Sequence, residues 1–310
     1  MVVLKGGNCM MMEIVDIFVQ LVSAKSELQK RYLSGWQACD AEKRELASIL
    51  NFYCECCDCD IEFIADSYIF INQMVIDEQY YFALNGKYRN STFEEVNKQV
   101  YQNQEYMMKY MIGLTISDYI WIQHLEIIRY FEKLLEDSKL SGGRYLEIGP
   151  GFGQFFTRAI RKDLWEEYLA VDISPVSVEQ CRKYLEYCSI EDSGRVNIAL
   201  QDFFLFDTDE RFENVVCGEV LEHVEDPLEM LKKIYFLLSK GGTAFITTVI
   251  NAPAVDHIYL FSTVQEVLDM AKTAGFAIYD YMCAAAGGTV EAAEKKKRTI
   301  NIALLCVKEY

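Results

Sequence analysis

Residues 145–154 read Tyr145-Leu-Glu-Ile-Gly-Pro-Gly-Phe-Gly-Gln154, and the chain is organised outward from this stretch. Arg144 and the apolar residues after it predict a short buried strand over 144–148. A turn with glycines at 149, 151 and 153 and a helix start at Gln154 follow. Glycine lets a backbone turn sharply and lets a ligand lie against the main chain, because no Cβ intervenes. About twenty residues on, a second predicted strand, 168–172, closes on Asp172. A carboxylate there is placed to hold two ribose hydroxyls, as in dinucleotide folds, with Ile173 beside it as a further contact. A plain strand-to-helix turn without a ligand would carry the same glycines.

Downstream, strands and helices alternate: helix 175–188, strands 195–200 and 213–218, helix 227–239, strand 243–249, helix 263–274, then strands 276–282 and 299–307. Such alternation implies an α/β fold with a mostly parallel sheet covered on both faces. The last two strands have no long helix between them, so they are expected to pair antiparallel. Upstream, residues 1–140 read as helical, with apolar spacing of three and four over 13–28, 41–53, 61–82, 92–111 and 117–135. The turn cluster at 84–91 contains Asn85-Gly86 and Asn90-Ser91, and Ser91 or Thr92 is placed to cap the next helix.

The 310 residues carry a net charge of −17, with 51% hydrophobic and 25% charged residues, which describes a folded chain. Residues 1–140 hold 13 basic and 21 acidic side chains, and 141–310 hold 17 and 26. Neither half offers the basic face that nucleic acid or anionic membrane requires. The dense run Lys295-Lys-Lys-Arg298 is short and reads as a solvated turn. No apolar run is long enough to span a membrane and no signal peptide is read, so a cytoplasmic location is expected. The 11 cysteines fit reduced thiols, and the cluster Cys54-Glu-Cys-Cys-Asp-Cys59 lacks the second knuckle of a zinc site. The helical half is rich in aromatics, among them Tyr88, Tyr101, Tyr110 and Trp121, which serve packing or line a small-molecule pocket. His124 lies in an apolar helix among them, facing either the core or a substrate.

With Glu147 before the first glycine, the loop reads E-x-G-x-G-x-G, and this resembles motif I of the class I S-adenosylmethionine (SAM) dependent methyltransferases. The stretch Val216-Cys-Gly-Glu-Val-Leu-Glu-His-Val-Glu-Asp-Pro227 is similar to the E-V-L-E-H-V segment of ubiquinone-biosynthesis-type O-methyltransferases. The histidine, phenylalanine and A-G-F pattern of residues 257–276 is similar to the same group. The resemblance spans residues 144 to about 282. It implies a Rossmann-like seven-stranded sheet with an antiparallel C-terminal hairpin, and SAM as methyl donor, leaving S-adenosylhomocysteine. It places cofactor contacts at Glu147, Gly149, Gly151, Gly153, Asp172, Ile173, Asp202, Phe203 and Glu219, with Asp202 toward the adenine amino group. An Asx turn is the alternative reading of Asp202. Related enzymes, the small-RNA 3′-end methyltransferases included, use an E-x-x-E-H set with a distant histidine to hold a divalent metal. Here that set is Glu219, Glu222, His223 and His257. Glu219 and Glu222 are three residues apart and would share one side of a helical turn. Without metal, His223, His257 and Glu222, with His124, are the candidate catalytic residues.

The resemblance does not reach the substrate. The expected organisation is a helical substrate-recognition cap over 1–140 and a SAM-binding domain over 141–310. The expected function is methylation of oxygen or nitrogen on a small organic molecule in a biosynthetic pathway. A methyltransferase of a peptide or RNA end, or a SAM-binding protein without catalysis, is the alternative. Oligomeric state is left open.

Overall fold

The structure, a computed structural model, describes residues 7–137, 139–190 and 194–309, with side chains from residue 13 onward. Its centre is a seven-stranded sheet in the order β3-β2-β1-β4-β5-β7-β6. The strands are β1 (Arg144–Ile148), β2 (Glu167–Asp172), β3 (Val196–Leu200), β4 (Phe212–Gly218), β5 (Leu238–Ile250), β6 (Ala277–Ala285) and β7 (Ile300–Val307). The first five run parallel. β7 inserts antiparallel between β5 and β6, pairing Ile246 with Leu304 on one side and Tyr281 with Leu304 on the other. This is the Rossmann-like methyltransferase sheet with its antiparallel C-terminal hairpin.

The sheet is covered on both faces, as its apolar strands require. Ahead of it lie α1 (Gly7–Lys25), α2 (Glu27–Ser34), α3 (Asp40–Cys56), α4 (Ile61–Asn85), α5 (Phe93–Val96), α6 (Gln104–Ile120) and α7 (Ile122–Glu136). Within it lie α8 (Gln154–Lys162), α9 (Pro175–Tyr187), α10 (Pro227–Leu237), α11 (Val264–Thr273) and the short α12 (Val290–Lys295). Residues from α7, α8 and α9 share one core with Tyr145, Phe245 and Leu305 of the sheet. Residues from α10 and α11 share the core on the other face with Val215, Ile246 and Ile302. A separate core joins α1, α3, α4 and α6, and includes Phe152 and Tyr184 from the sheet half.

The helical half differs from the sequence expectation in several places: the predicted helix 13–28 ends at Lys25, and Ser26 caps a further helix, α2. The predicted helix 92–111 is instead α5, a π-helical turn (Asn97–Tyr101) and a new helix, α6, whose N-cap Asn103 accepts from Tyr106 N–H. α6 then runs through Gly113, where a break was expected. A Cβ at Gly113 would lie 2.5 Å from the Ser67 carbonyl oxygen, so this glycine lets α6 pack directly on α4. The real break is at Trp121, whose backbone is extended. α2 holds it there: Tyr32 OH accepts from Ile122 N–H at 3.2 Å and Trp36 Nε1 donates to the Tyr119 carbonyl at 2.8 Å.

The helical layer is tied to α8 through Arg158. Its guanidinium donates to Glu132 at 2.8 Å, to Gln154 Oε1 at 2.8 Å and to Glu45, joining α3, α7 and α8. Residues of the helical layer line one cavity with the glycine loop at the carboxyl end of β1, the edge where open α/β sheets bind ligands.

Candidate functional site

The chain leaves β1 through Gly149, Gly151 and Gly153, all at positive φ (63°, 57° and 99°). Two of these positions also have no room for a side chain. A Cβ on Gly149 would lie 2.7 Å from Val220 Cγ2, and one on Gly153 would lie 2.9 Å from Cys181 Sγ. Gly151 has open space beside it, with Met111 Cε 4.0 Å away. A ligand can therefore approach the backbone there. Asp172, at the tip of β2, accepts from Ser174 N–H at 2.8 Å and faces Gly151 N–H at 3.4 Å. Burial raises its pKa to about 6 against these two amides. Glu147 is buried under the loop and accepts from Tyr145 OH; burial pushes its pKa up to about 8.

Ile173 is half exposed beside Asp172. Asp202 Oδ1 accepts from Phe204 N–H at 2.8 Å, which is the Asx-type turn, and Phe203 is buried behind it. These three stand at the tips of β2 and β3.

The segment after β4 carries the second group. Glu219 takes a left-handed backbone (φ 53°), and a short 3₁₀ turn follows over Leu221–His223. The helical turn expected to align Glu219 with Glu222 is therefore absent. Glu219 accepts from Thr247 Oγ1 at 2.7 Å and from Asn301 Nδ2 at 3.1 Å, whereas Glu222 accepts from Thr248 Oγ1 at 2.7 Å. Thr247 and Thr248 are successive strand residues pointing to opposite faces of β5, so the two carboxylates are anchored by different hydroxyls. The group with metal-ligand spacing is Glu222, His223 and His257, whose ligand atoms lie within 4.8 Å of one another. Glu219 is not part of it.

Both histidines have a fixed tautomer. His223 Nδ1–H donates to the Asp256 carbonyl at 3.0 Å and His257 Nδ1–H to the Ala252 carbonyl at 2.5 Å. A carbonyl can only accept, so Nε2 of each ring is left with its lone pair. Burial depresses the pKa of both. For His257 burial and the neighbouring His223 prevail and the value is lowered. For His223 the Asp256 and Glu222 carboxylates outweigh burial and raise it. The Asp256 carboxylate, 2% exposed, lies 3.5 Å from His223 Nδ1 and accepts from Tyr110 OH at 2.7 Å.

These groups meet in one cavity of about 520 Å³ between the glycine loop and the helical layer. The chain has 3 histidines, and His124, His223 and His257 all line it. Glu147, Gly149, Gly151, Glu219 and Glu222 line it too; Asp172, Ile173, Asp202 and Phe203 do not. His124 Nδ1 lies 3.2 Å from Asp118 and its ring packs on Trp121. Sequence reasoning passed over Asp118, Asp256 and Asn301. Asp256 was the findable one, being adjacent to His257. Asn301 looks like any polar strand residue until β7 pairs beside β5.

The family follows from comparison of the whole chain. A model of the methyltransferase domain matches residues 121–280, half of the protein. The chain belongs to the methyltransferase family. Residues of this methyltransferase are 33% identical over 117 positions to a ubiquinone biosynthesis O-methyltransferase of Xanthomonas campestris pv. campestris, covering 37% of the chain and 46% of that relative. A Xanthomonas euvesicatoria enzyme of the same description is 30% identical over 118 positions, covering 37% and 47%. The chain thus spans about half the length of the curated relatives it matches. Among solved structures, a Haemonchus contortus phosphoethanolamine N-methyltransferase 2 in complex with SAM aligns with a TM-score of 0.51 at 16% identity. That alignment covers 72% of this chain and 61% of that one. A sarcosine dimethylglycine methyltransferase structure from Galdieria sulphuraria aligns with a TM-score of 0.50 at 12% identity, covering 75% and 98%. At these identities the structures bear on the fold alone, which is that of the class I SAM-dependent methyltransferases. Among the described residues no helix is long and apolar enough to cross a membrane.

Proposed function

We propose that the protein transfers a methyl group from SAM to an oxygen or nitrogen of a small organic molecule bound in the cavity beneath the helical layer. Residues 1–140 would supply most of substrate recognition and 141–310 the SAM site, with α7 packed on the sheet between them. The observation that carries this reading is the convergence of all three histidines, with Glu222, in one cavity floored by the glycine loop.

SAM brings a methyl already activated on a sulfonium, so the protein's task is alignment and exclusion of water. Gly151 gives backbone room at the donor, and Asp172 would offer acceptors to its ribose. His223 Nε2 takes the proton from the substrate's nucleophilic atom as that atom attacks the methyl carbon. Bound SAM would supply the methyl carbon and leave as S-adenosylhomocysteine. The Asp256 carbonyl and carboxylate beside Nδ1 hold the ring and favour the imidazolium that forms.

Purified protein supplied with methyl-labelled SAM and a metabolite extract tests this. Label should appear below a small-molecule size cut-off. Label retained with macromolecules favours a peptide or RNA end as acceptor, and no transfer despite SAM binding favours a binding protein.

A second reading is favoured by the grouping of Glu222, His223 and His257 within 4.8 Å, with both Nδ1 atoms engaged by carbonyls, the usual support of a metal-bound imidazole. One carboxylate oxygen and two Nε2 atoms fit a divalent ion, which would supply Lewis acidity to lower the pKa of a substrate hydroxyl. Excess chelator separates the two. Full turnover is expected with His223 as direct base, whereas loss restored by Mg²⁺ or Mn²⁺ transfers the assignment to the metal.

A further inference from the structure

The cavity carries further polar groups beside the Glu222–His223–His257 group. Asp118 on α6, Glu219 after β4 and Asn301 on β7 all line it. Asn301 is 1% exposed, and its Oδ1 has no hydrogen-bond partner. Its Nδ2 donates to Glu219 Oε2 at 3.1 Å. A buried, unpartnered acceptor beside a carboxylate costs free energy unless a donor arrives. Glu219 is crowded as well. Burial, and then the Glu222 and Asp118 carboxylates, hold its pKa well above the usual carboxylate range. Among the described residues no lysine or arginine lines the cavity. Asp118 has His124 as its neighbour at 3.2 Å, and that ring is charged only when protonated.

Such a cluster is relieved by a proton or by a cation with several donors, and an ammonium group offers up to three. Around it the wall is apolar and aromatic, with Trp121 and Tyr32 among the lining residues. Aromatic faces attract cations as well as apolar bodies. We infer that the substrate carries a positively charged amino group on an apolar body, and that this group seats between Asp118, Glu219 and Asn301. The inference deepens the small-molecule methyltransferase reading and rests on it. An anionic substrate would meet three acceptors and no fixed cation. A neutral alcohol would supply one donor to a site that can use several.

The test uses three probes of one shape: 2-phenylethylamine, 2-phenylethanol and phenylacetate, titrated calorimetrically into the protein saturated with S-adenosylhomocysteine. The amine should bind at least tenfold tighter than the alcohol, and phenylacetate most weakly. Asp118→Asn and Glu219→Gln should each shrink the amine's advantage to within about threefold. Asp118→Asn should keep wild-type affinity for S-adenosylhomocysteine, which shows that it is folded. An amine that binds no better than the alcohol overturns the inference, as does absence of binding by all three probes or an advantage that survives both substitutions. A wild-type protein that fails to take S-adenosylhomocysteine at all would instead remove the methyltransferase reading beneath it.

Discussion

Replacing Asp172 by asparagine removes one charge and almost no volume, so it isolates what the carboxylate does. A hydrogen bond to a charged group contributes about 1.5–3 kcal/mol. Its loss at the ribose should therefore weaken S-adenosylhomocysteine binding by about 10- to 150-fold at pH 8. The acidity of Asp172 adds a second signature. With a pKa near 6, the carboxyl is ionised at pH 8, but only about one in eleven is ionised at pH 5. Wild-type affinity should then fall about tenfold between pH 8 and pH 5, while the variant's stays flat. The empty protein should respond in the opposite sense. Because the folded value lies above the ordinary 3.8, the folded state is favoured below 3.8 and loses that advantage as pH rises through 6. That rise corresponds to about 3 kcal/mol at pH 8, offset by about 1 kcal/mol for the amide facing Gly151 N–H. Urea denaturation should thus find ligand-free Asp172→Asn about 2 kcal/mol more stable than wild type at pH 8, with the gain gone at pH 3.5. Calorimetric titration with S-adenosylhomocysteine decides the binding half. A variant within twofold of wild type at pH 8, or parallel pH profiles for the two proteins, refutes the assignment of Asp172 to the ribose.

Gly149→Ala puts a Cβ 2.7 Å from Val220 Cγ2 on a left-handed backbone, so it should cost about 1–2 kcal/mol from the backbone alone and abolish S-adenosylhomocysteine binding, read by thermal shift with and without ligand. His223→Ala removes the base but no part of the glycine loop. The turnover number should drop by about 10²- to 10⁴-fold while calorimetric affinity for S-adenosylhomocysteine stays within twofold. Arg158→Met leaves Glu45, Glu132 and Gln154 without their shared donor. Both carboxylates are partly exposed, so the loss should fall below that of a fully buried pair, about 2–3 kcal/mol by urea denaturation.

The sheet was legible because its signals are local. Alternating strands and helices gave the parallel core, and the glycines with Glu147 and Asp172 gave the ligand-binding edge. The C-terminal pair was read as antiparallel, but the wedging of β7 between β5 and β6 depends on which edge of β5 is free, and no short window records that. The helical half was less legible for a related reason. The predicted helices 92–111 and 117–135 leave Gly113 between them, yet its missing side chain is what lets α6 lie against the Ser67 carbonyl. Trp121 reads as mid-helix, yet Tyr32 and Trp36 from a distant element stabilise a break there. In both cases packing across the chain outweighs a local preference of about 1 kcal/mol.

The same distinction explains the site. The resemblance singled out Glu222, His223 and His257 together with Glu219, and the structure brings the ligand atoms of the first three within 4.8 Å of one another. The helical-turn alignment of Glu219 with Glu222 is what the structure lacks, because direction there depends on one backbone angle. At φ 53° the chain turns left-handed, and the carboxylate goes to Thr247 and to Asn301 on a strand 82 residues later. A non-glycine residue held in that region costs free energy and persists only where the surroundings over-determine it. Here two side-chain donors and the Glu219 N–H bond to Thr247 Oγ1 do so. The left-handed turn therefore has a consequence: it directs the Glu219 carboxylate to Thr247 and Asn301 rather than into the Glu222–His223–His257 group.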